Sequence, residues 1–324
     1  MSSKSMAAKT SRVEALGPAW QKPARLRRGD AIAVIAPSGP VPQTRLWPGM
    51  SVLSARYETV FSDGLVAQRG FLAGEDGRRW AELVWAMSDP QVHGIFCARG
   101  GHGALRLLPQ LLALTPHEFP HRPLVGFSDI TVLHAFWALH KRISVHGPVV
   151  TQLAELPADD QAALFALLED PAPPPAVTDL VLLTQASHPA QGRLLGGNLE
   201  VLSRLCGTPL QRMFQESGPI VLLLEEVTEA PYRIDRALTH LIHAGAFAHV
   251  QAVVLGELLR CEGPSEHPSA LDVLSERIGS LGLPLLSGLP LGHGARNRAV
   301  PLGVAVSVDP RRGVLTFLEP AVRS

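Results

Sequence analysis

Lysine is scarce in this 324-residue chain, and its scarcity excludes several kinds of active site. Only four of the 29 basic side chains are lysines, namely Lys4, Lys9, Lys22 and Lys141. No phosphate-binding loop of the Gly-x-x-x-x-Gly-Lys type and no Ser-x-x-Lys nucleophile motif can therefore be written. A Schiff-base lysine could hardly be any residue but Lys141.

Cysteine is also rare, and its spacing suits neither cross-linking nor zinc. Cys97, Cys206 and Cys261 form no Cys-x-x-Cys pair, which argues against a disulfide framework and against a structural zinc site. Cys97 lies inside an apolar run, so a buried, inert thiol is favoured over a nucleophile. A reducing compartment is the default, and we expect a cytoplasmic protein.

Long apolar runs and net charge are missing as well. Runs such as 31–36 and 220–224 fall far short of the roughly 20 residues that span a bilayer. The N-terminal segment contains no apolar run of signal-peptide length, and we expect a disordered tail over 1–25. Because 29 basic and 29 acidic side chains cancel, the bulk charge favours neither nucleic acid nor a membrane as a partner.

Three short apolar runs predict the buried strands of a parallel sheet. They span 31–36, 94–98 and 123–127, and each ends in a polar or glycine-containing turn. Helical stretches over 104–114 and 131–141 follow the second and third runs. Strand, turn and helix in repetition is typical of an α/β layer of Rossmann-like or flavodoxin-like type, with functional loops at the carboxyl ends of its strands.

A proline-dense segment predicts a domain boundary. Its sequence over 170–178 suits neither a helix interior nor a strand ladder. We therefore expect an N-terminal α/β domain over 26–169, a proline-rich linker over 170–190 and a C-terminal domain over 191–324.

The C-terminal domain has its own pattern of elements. A buried strand over 218–224 ends at Glu225, and an amphipathic helix is predicted over 231–245. A further strand is predicted over 283–291, and a closing hairpin over 304–318.

Ser128 lies where a buried strand meets a helix. Gly126 precedes it and Asp129 follows, so a sharp turn can aim the hydroxyl outward, beside the free N–H groups of a helix N-terminus. This is the arrangement of a nucleophile elbow, although the window Gly-Phe-Ser-Asp-Ile lacks the second glycine of Gly-x-Ser-x-Gly. The structural alternative is that Ser128 and Asp129 only cap the helix.

The window Arg99-Gly-Gly-His-Gly103 follows another predicted strand. Two adjacent glycines let the backbone approach a ligand and donate N–H groups to an anion. As a dinucleotide loop the window fails, because Arg106 stands where the third glycine is required. It is therefore either a cradle for an oxyanion or carboxylate, or a simple turn.

His293 stands out among thirteen histidines because it sits between two glycines directly after a predicted strand, although it also fits a turn histidine. A hydroxyl nucleophile needs a base, and the base needs a carboxylate that fixes its tautomer. Glu225 at a strand end completes such a set, and Glu226 would point to the opposite face. His240 and His243 share a helix face without a carboxylate partner, which favours a solvated face over a metal site.

Several windows together resemble the LD-carboxypeptidase family of serine peptidases, the muropeptide-recycling enzymes. The matching stretches, in chain order, are 29–39, 99–103, 126–131, 146–148, 196–199, 224–227 with 231–235, and 292–293 with 301–303. The resemblance implies Ser128 as nucleophile, His293 as general base and Glu225 as its partner. It also implies an oxyanion hole of backbone N–H groups near Gly101 and Asp129, without a metal or cofactor.

For the whole protein, the resemblance implies a nucleophile-bearing α/β domain, a smaller β-rich C-terminal domain that supplies Glu and His, and a homodimer. The implied reaction is hydrolysis of the bond between an L-diamino acid and the terminal D-alanine of a cytoplasmic murein tetrapeptide, in peptidoglycan recycling. His102 stands where the family usually carries an aromatic residue, which puts the substrate-side wall of that loop in doubt. The candidates for binding the substrate carboxylate are Arg99, Arg233, Arg296 and Arg298.

Two other functions stay open. One is that of the related microcin-immunity hydrolases, which use the same triad on a peptidyl-nucleotide or aminoacyl-nucleotide. The other is that of a non-catalytic protein whose glycine loop holds an anion. The sequence does not identify the diamino acid at the third peptide position.

Overall fold

The computed structural model describes residue 16, residues 20–115 and residues 119–324, and all statements below refer to them. Among these residues, no helix has the length and apolar character needed to cross a bilayer. The described chain forms two β-sheets with helices packed around them.

The first sheet contains the parallel layer that the apolar runs predict. Its strands in chain order are β1 (Ala31–Ile35), β2 (Glu58–Val60), β3 (Gly94–Cys97), β4 (Leu124–Gly126) and β5 (Ser144–His146). They lie side by side as β5-β4-β3-β1-β2, every pair parallel. Ala33 and Ile35 enter one hydrophobic core, whereas Ile32 and Val34 enter another, so both faces of the sheet are buried.

Helices connect these strands and cover the sheet. The α-helices are α1 (Gln43–Ser54), α2 (Asp76–Ser88), α3 (Leu108–Ala113), α4 (Thr131–Leu139), α5 (Val150–Leu153) and α6 (Ala158–Glu169). Short 3-10 turns cover Asp63–Val66, Ala104–Leu107 and Ser128–Ile130. The last two of these turns follow β3 and β4, so they lie at the carboxyl edge of the sheet, where parallel α/β layers place functional loops.

The second sheet is built from the C-terminal half. The remaining strands are β6 (Val181–Leu182), β7 (Ala190–Asn198), β8 (Ile220–Val227), β9 (Val250–Leu259), β10 (Leu285–Ser287), β11 (Val300–Leu302), β12 (Ala305–Asp309) and β13 (Val314–Phe317). Seven of them form a sheet in the order β13-β12-β7-β8-β9-β10-β6. Its helices are α7 (Leu199–Leu205), α8 (Arg212–Glu216), α9 (Pro231–His243) and α10 (Ala270–Gly279), with a 3-10 turn at Pro209–Gln211.

Two boundaries differ from the sequence expectation. The tail predicted over 1–25 lies mostly outside the described residues, but Trp20 is buried and the Gln21 N–H donates to the Lys141 carbonyl at 2.8 Å. The chain is therefore packed before residue 26, because Trp20 joins the hydrophobic core while Lys141 and Arg193 lie over its ring. The linker predicted over 170–190 includes β6, whose residues pair with β10.

One strand of the C-terminal domain, β11, belongs to the first sheet. β11 pairs antiparallel with β5, and Val300 lies opposite His146. The strand predicted over 283–291 is shorter than expected, because only β10 is extended and the chain then turns at Gly288 and Gly292, both with positive φ. That turning segment carries His293 toward the first sheet.

Candidate active site

Ser128 occupies a sharp turn between β4 and α4. Its φ of +65° lies in the left-handed region, which a residue other than glycine rarely adopts. The N-cap positions of the turn and of α4 are Phe127 and Ile130, and neither makes a side-chain capping bond. The Asp129 carboxylate instead accepts the Ala104 N–H at 2.8 Å. This geometry fits a nucleophile elbow better than a capped helix.

Two glycines make room for this turn. A Cβ atom on Gly100 would lie 2.8 Å from the Ser128 Cβ and 3.1 Å from its Oγ, so the backbone of the loop after β3 lies directly against the serine. A Cβ atom on Gly126 would meet the Ile130 side chain at 2.9 Å. The turn therefore has little room for a side chain two residues before Ser128.

The buried guanidinium of Arg79 holds the loop after β3 in place. Gly101 and Gly103 both have positive φ, +106° and +126°. Arg79 on α2 is fully buried and donates to the Pro37 carbonyl at 2.5 Å and to the Gly103 carbonyl at 2.7 Å, while Asp76 balances its charge. Sequence reasoning missed Arg79, since an arginine on an amphipathic helix looks the same whether it faces solvent or a loop.

His293 and Glu225 form a direct pair next to the elbow. The His293 Nδ1 atom lies 2.8 Å from the Glu225 Oε2 atom, and the carboxylate is fully buried. The His293 ring packs on the Phe127 ring with 4.6 Å between centroids, and His146 packs on Phe127 at 5.9 Å. Because Phe127 directly precedes Ser128, the His293 ring packs against the residue next to the serine.

The loop that carries His293 is anchored on both sides. The Gly294 N–H donates to the Glu257 carboxylate at 2.7 Å, and burial raises the pKa of Glu257. Asn297, fully buried, donates to the Gln152 side chain at 2.7 Å, and Gln152 on α5 donates to the Gly292 carbonyl at 3.3 Å. Glu257 and Gln152 were not predicted, because only the folded chain brings them to this loop. Asn297 belongs to the loop itself, but nothing in the sequence marks it as buried.

Glu226 has a separate set of partners. It accepts hydrogen bonds from the Asn198 side chain at 2.9 Å and from the Glu200 and Val227 N–H groups at 2.8 Å each. Burial raises its pKa to about 7. Asn198 is the last residue of β7, and its N–H donates to the Thr131 hydroxyl at 3.1 Å, which connects β7 to the first residue of α4.

The arginines predicted to bind the substrate carboxylate differ in their surroundings. Arg296 donates to Asp160 at 2.7 Å, and hydrogen bonding to that carboxylate raises the arginine's pKa above its ordinary value. Arg233 is exposed and lies 3.4 Å from Glu229. Arg99 donates to the Pro40 carbonyl at 2.5 Å and has no carboxylate partner among the residues that the structure describes.

Arg298 and His102 lie in different surroundings again. Arg298 lines a cavity of about 330 Å³ together with the proline-dense segment of the linker. His102 packs edge-on against Phe71, with 5.4 Å between ring centroids, and Phe71 is 66% exposed. The loop at His102 therefore still presents an aromatic surface to solvent, supplied by Phe71.

The other candidates of the sequence stay apart from this site. His240 and His243 are exposed at the end of α9. Within the described ranges, no group of three or more His, Cys, Asp or Glu side chains could hold a metal ion. Cys97 is fully buried in β3, and burial raises the pKa of its thiol, as expected of an inert cysteine.

A cavity of about 850 Å³ opens beside the His293 loop. Pro290, which leads into that loop, and Glu257, which anchors it, both line the cavity. Its charged lining residues are Glu257, Glu262 and Asp272, and neither lysine nor arginine lines it. The cavity therefore borders the His293 loop without being lined by Ser128, Glu225 or His293, and its carboxylates disfavour anions.

Known proteins match this chain along most of its length. A model of the LD-carboxypeptidase N-terminal domain matches residues 32–147, and a model of the LD-carboxypeptidase C-terminal domain matches residues 191–308. A putative carboxypeptidase of Synechocystis sp. is 37% identical, over 92% of this chain and 97% of its own length. The murein tetrapeptide carboxypeptidase of Pseudomonas aeruginosa is 34% identical, over 76% of this chain and 82% of its own length.

A solved structure shares the whole architecture. The structure of MccF in complex with glutamyl sulfamoyl guanosine matches with a TM-score of 0.79 at 19% identity, covering 93% of this chain and 99% of that chain. Likeness at this identity concerns the fold, which is a mixed α/β fold with a parallel sheet and a second sheet.

Proposed function

This chain belongs to the LD-carboxypeptidase family and is a serine-type carboxypeptidase, and on that premise we propose that it removes the terminal D-alanine from murein tetrapeptides. Ser128 is the proposed nucleophile, His293 the general base and Glu225 the carboxylate that orients it. The observation that carries the proposal is the 2.8 Å contact between His293 and the buried Glu225, beside a serine in a strained turn.

In the proposed acylation step, neutral His293 accepts the proton of the Ser128 hydroxyl. The serine oxygen attacks the carbonyl carbon of the L-diamino acid, and the carbonyl oxygen becomes an oxyanion. Backbone N–H groups near Gly101 and Asp129 stabilise it, because the loop after β3 is already fixed and need not reorganise. The imidazolium then gives its proton to the D-alanine nitrogen, and the C–N bond breaks.

In the deacylation step, water replaces D-alanine in the same geometry. His293 accepts a proton from the water, the hydroxide attacks the acyl-serine carbonyl, and the ester bond to Ser128 breaks. The proton returns to the serine oxygen, which restores the enzyme and releases a tripeptide. Glu225 keeps Nδ1 protonated throughout, so that Nε2 faces the reacting atoms.

In this proposal the substrate's diamino-acid side chain extends past the His293 loop into the neighbouring cavity. The carboxylates of that cavity would attract its free amine and repel a phosphate, which favours a peptide over a nucleotide conjugate. The family and the murein enzyme of Pseudomonas aeruginosa point to the same substrate class. We place the reaction in the cytoplasm and without a cofactor, and the homodimer stays a prediction.

Parallel assays on four substrates test the proposal. D-Alanine release, followed with a D-amino-acid oxidase, should be fast for a tetrapeptide that ends in D-alanine and poor for a pentapeptide that ends in D-alanyl-D-alanine. Loss of the L-alanine epimer, followed by chromatography, should be about 10²-fold slower, because a displacement of about 1 Å at the reacting centre costs that much. An aminoacyl-adenylate analogue is the fourth substrate.

Three results would reject the assignment. They are comparable rates on the two epimers, preference for the pentapeptide, and faster turnover of the adenylate analogue than of the tetrapeptide. The last result would favour a microcin-immunity type of hydrolase. Absence of turnover on all four substrates would favour an anion-binding protein.

A further inference from the structure

Arg99 differs from most arginines of the N-terminal domain in having no carboxylate partner. Six of the others form ion pairs with carboxylates, and the pairs are Arg45–Glu155, Arg56–Glu169, Arg69–Glu75, Arg78–Glu82, Arg79–Asp76 and Arg106–Asp76. Arg99 has no such partner in the described parts of the chain and is exposed. Its positive charge is therefore available to a ligand.

The position of Arg99 brings this charge next to the elbow. Arg99 immediately follows buried Ala98 at the carboxyl end of β3, and it precedes Gly100, the residue whose backbone lies against Ser128. Its guanidinium donates to the Pro40 carbonyl at 2.5 Å, and the neighbouring Gly39 N–H donates to the Gly100 carbonyl at 3.0 Å. The guanidinium is thus anchored on the loop after β1, and that loop is hydrogen-bonded to the loop whose Gly100 backbone lies against Ser128.

This anchoring leaves most of the donors unused. A guanidinium carries five N–H donors in a planar fork, and the contact with Pro40 occupies one of them. The remaining donors match the two oxygens of a carboxylate, which a guanidinium can bind in a bidentate manner. A group that is already positioned loses less conformational freedom when the ligand arrives.

The chemistry of a carboxypeptidase requires a cation at such a place. In the leaving residue, the carboxylate carbon lies about 2.5 Å from the nitrogen of the bond that is cleaved. The recognising group must therefore lie within a few ångströms of the nucleophile. Arg296 and Arg233 are already paired with carboxylates, and Arg298 lies beside the linker. Arg99 is the remaining candidate, and it precedes Gly100 in the loop that lies against Ser128.

We propose that Arg99 binds the free carboxylate of the substrate's terminal D-residue and so restricts the enzyme to cleavage at a chain end. This inference rests on the proposed function, because it assigns the group that recognises the leaving residue. It also gives a physical reason for exopeptidase specificity, since an internal peptide bond offers no anion at this point.

The test compares a tetrapeptide having a free terminal carboxylate with the same peptide as a C-terminal amide. The wild-type protein, R99Q, R99A and the control R45Q are assayed on both peptides for kcat and KM. A glutamine at position 99 keeps an N–H donor on a shorter side chain but carries no charge. The control removes the charge of an exposed, ion-paired arginine instead.

We expect the wild-type protein and R45Q to prefer the free acid by about 10-fold to 10²-fold in kcat/KM, the usual value of hydrogen bonds to a charged group. R99Q and R99A should lose that preference, chiefly through turnover of the acid, while turnover of the amide changes little.

An unchanged ratio of acid to amide in R99Q would overturn the assignment of Arg99. So would an equal loss on both peptides in R99A that R99Q restores, because Arg99 would then only hold the loop through Pro40. If the wild-type protein cleaves neither peptide, the proposed function itself fails, and the role of Arg99 fails with it.

Discussion

At the scale of single residues, two adjacent glutamates on β8 have different roles. Glu225 pairs with His293, whereas Glu226 accepts three hydrogen bonds within the C-terminal domain. Successive side chains of a strand point to opposite faces, so Glu225 faces His293 and Glu226 faces the groups that donate hydrogen bonds to it.

Conservative substitutions should separate these roles. E225Q should lower kcat/KM by several orders of magnitude with little change in thermal stability, because the wrong histidine tautomer then faces Ser128. E226Q should lower the free energy of unfolding by about 1–3 kcal/mol, because its amide places a donor against the Glu200 N–H. Kinetics and calorimetry on both variants check this, and equal, small losses of activity would mean that the carboxylate has been misplaced.

The pH dependence of stability offers a second test of Glu226. Burial raises the pKa of Glu226 to about 7 in the folded protein, above its value in the unfolded chain. Its contribution to the free energy of unfolding is therefore complete below about pH 4.5 and is lost as the pH rises through 7. The lost contribution is about 3 kcal/mol at most. Buried His121 and His134, whose pKa values burial lowers to about 4, contribute in the opposite direction.

The comparison between wild type and E226Q therefore isolates the glutamate. Between pH 4.5 and 8, the difference in unfolding free energy between the two proteins should shift in favour of E226Q as pH rises. Chemical denaturation at four or five pH values measures it. A difference that stays constant across this range would show that Glu226 does not titrate there.

At the scale of elements, the loop after β3 must lie close to the elbow. A methyl group on Gly100 would sit 2.8 Å from the Ser128 Cβ, so G100A should displace the serine and lower kcat/KM by about 10²-fold. G77A is the matched control, because a Cβ atom on Gly77 of α2 has open space around it and alanine should stabilise the helix by about 0.5–1 kcal/mol. Full activity in G100A would contradict the close approach.

The sequence predicted these strands because their signal is local. The runs over 31–36, 94–98 and 123–127 became β1, β3 and β4 within one or two residues, since an unbroken apolar run between polar turns fits a strand buried on both faces. Within the strand predicted over 283–291, only β10 is extended, because the chain turns at Gly288 and Gly292.

The groups that hold the loops could not be predicted in the same way. Arg79, Glu257 and Gln152 contact backbone atoms that lie 24 to 140 positions away in the chain. A charged or amide side chain on a helix or strand end has no local feature that distinguishes burial against a loop from exposure to solvent.

At the scale of the whole molecule, the site forms where the two domains meet. β11 joins the first sheet, Asn198 bonds to Thr131, and Gln152 bonds to Asn297 and Gly292. The proline-dense segment carries no sign that β11 returns to the first sheet. Short strands such as Val300–Leu302 carry too little pattern to be assigned to a sheet from sequence.

The central claim is that a serine supplied by one domain is activated by a histidine and a carboxylate supplied by the other. D-Alanine release by S128A, measured on the tetrapeptide beside the exposed-serine control S88A, tests it most directly. We expect S128A to remain folded and to lose on the order of 10³-fold to 10⁶-fold in kcat/KM, because the covalent route is gone while the oxyanion and binding contributions remain. Near-normal turnover by purified S128A, with S88A unchanged, would contradict the account.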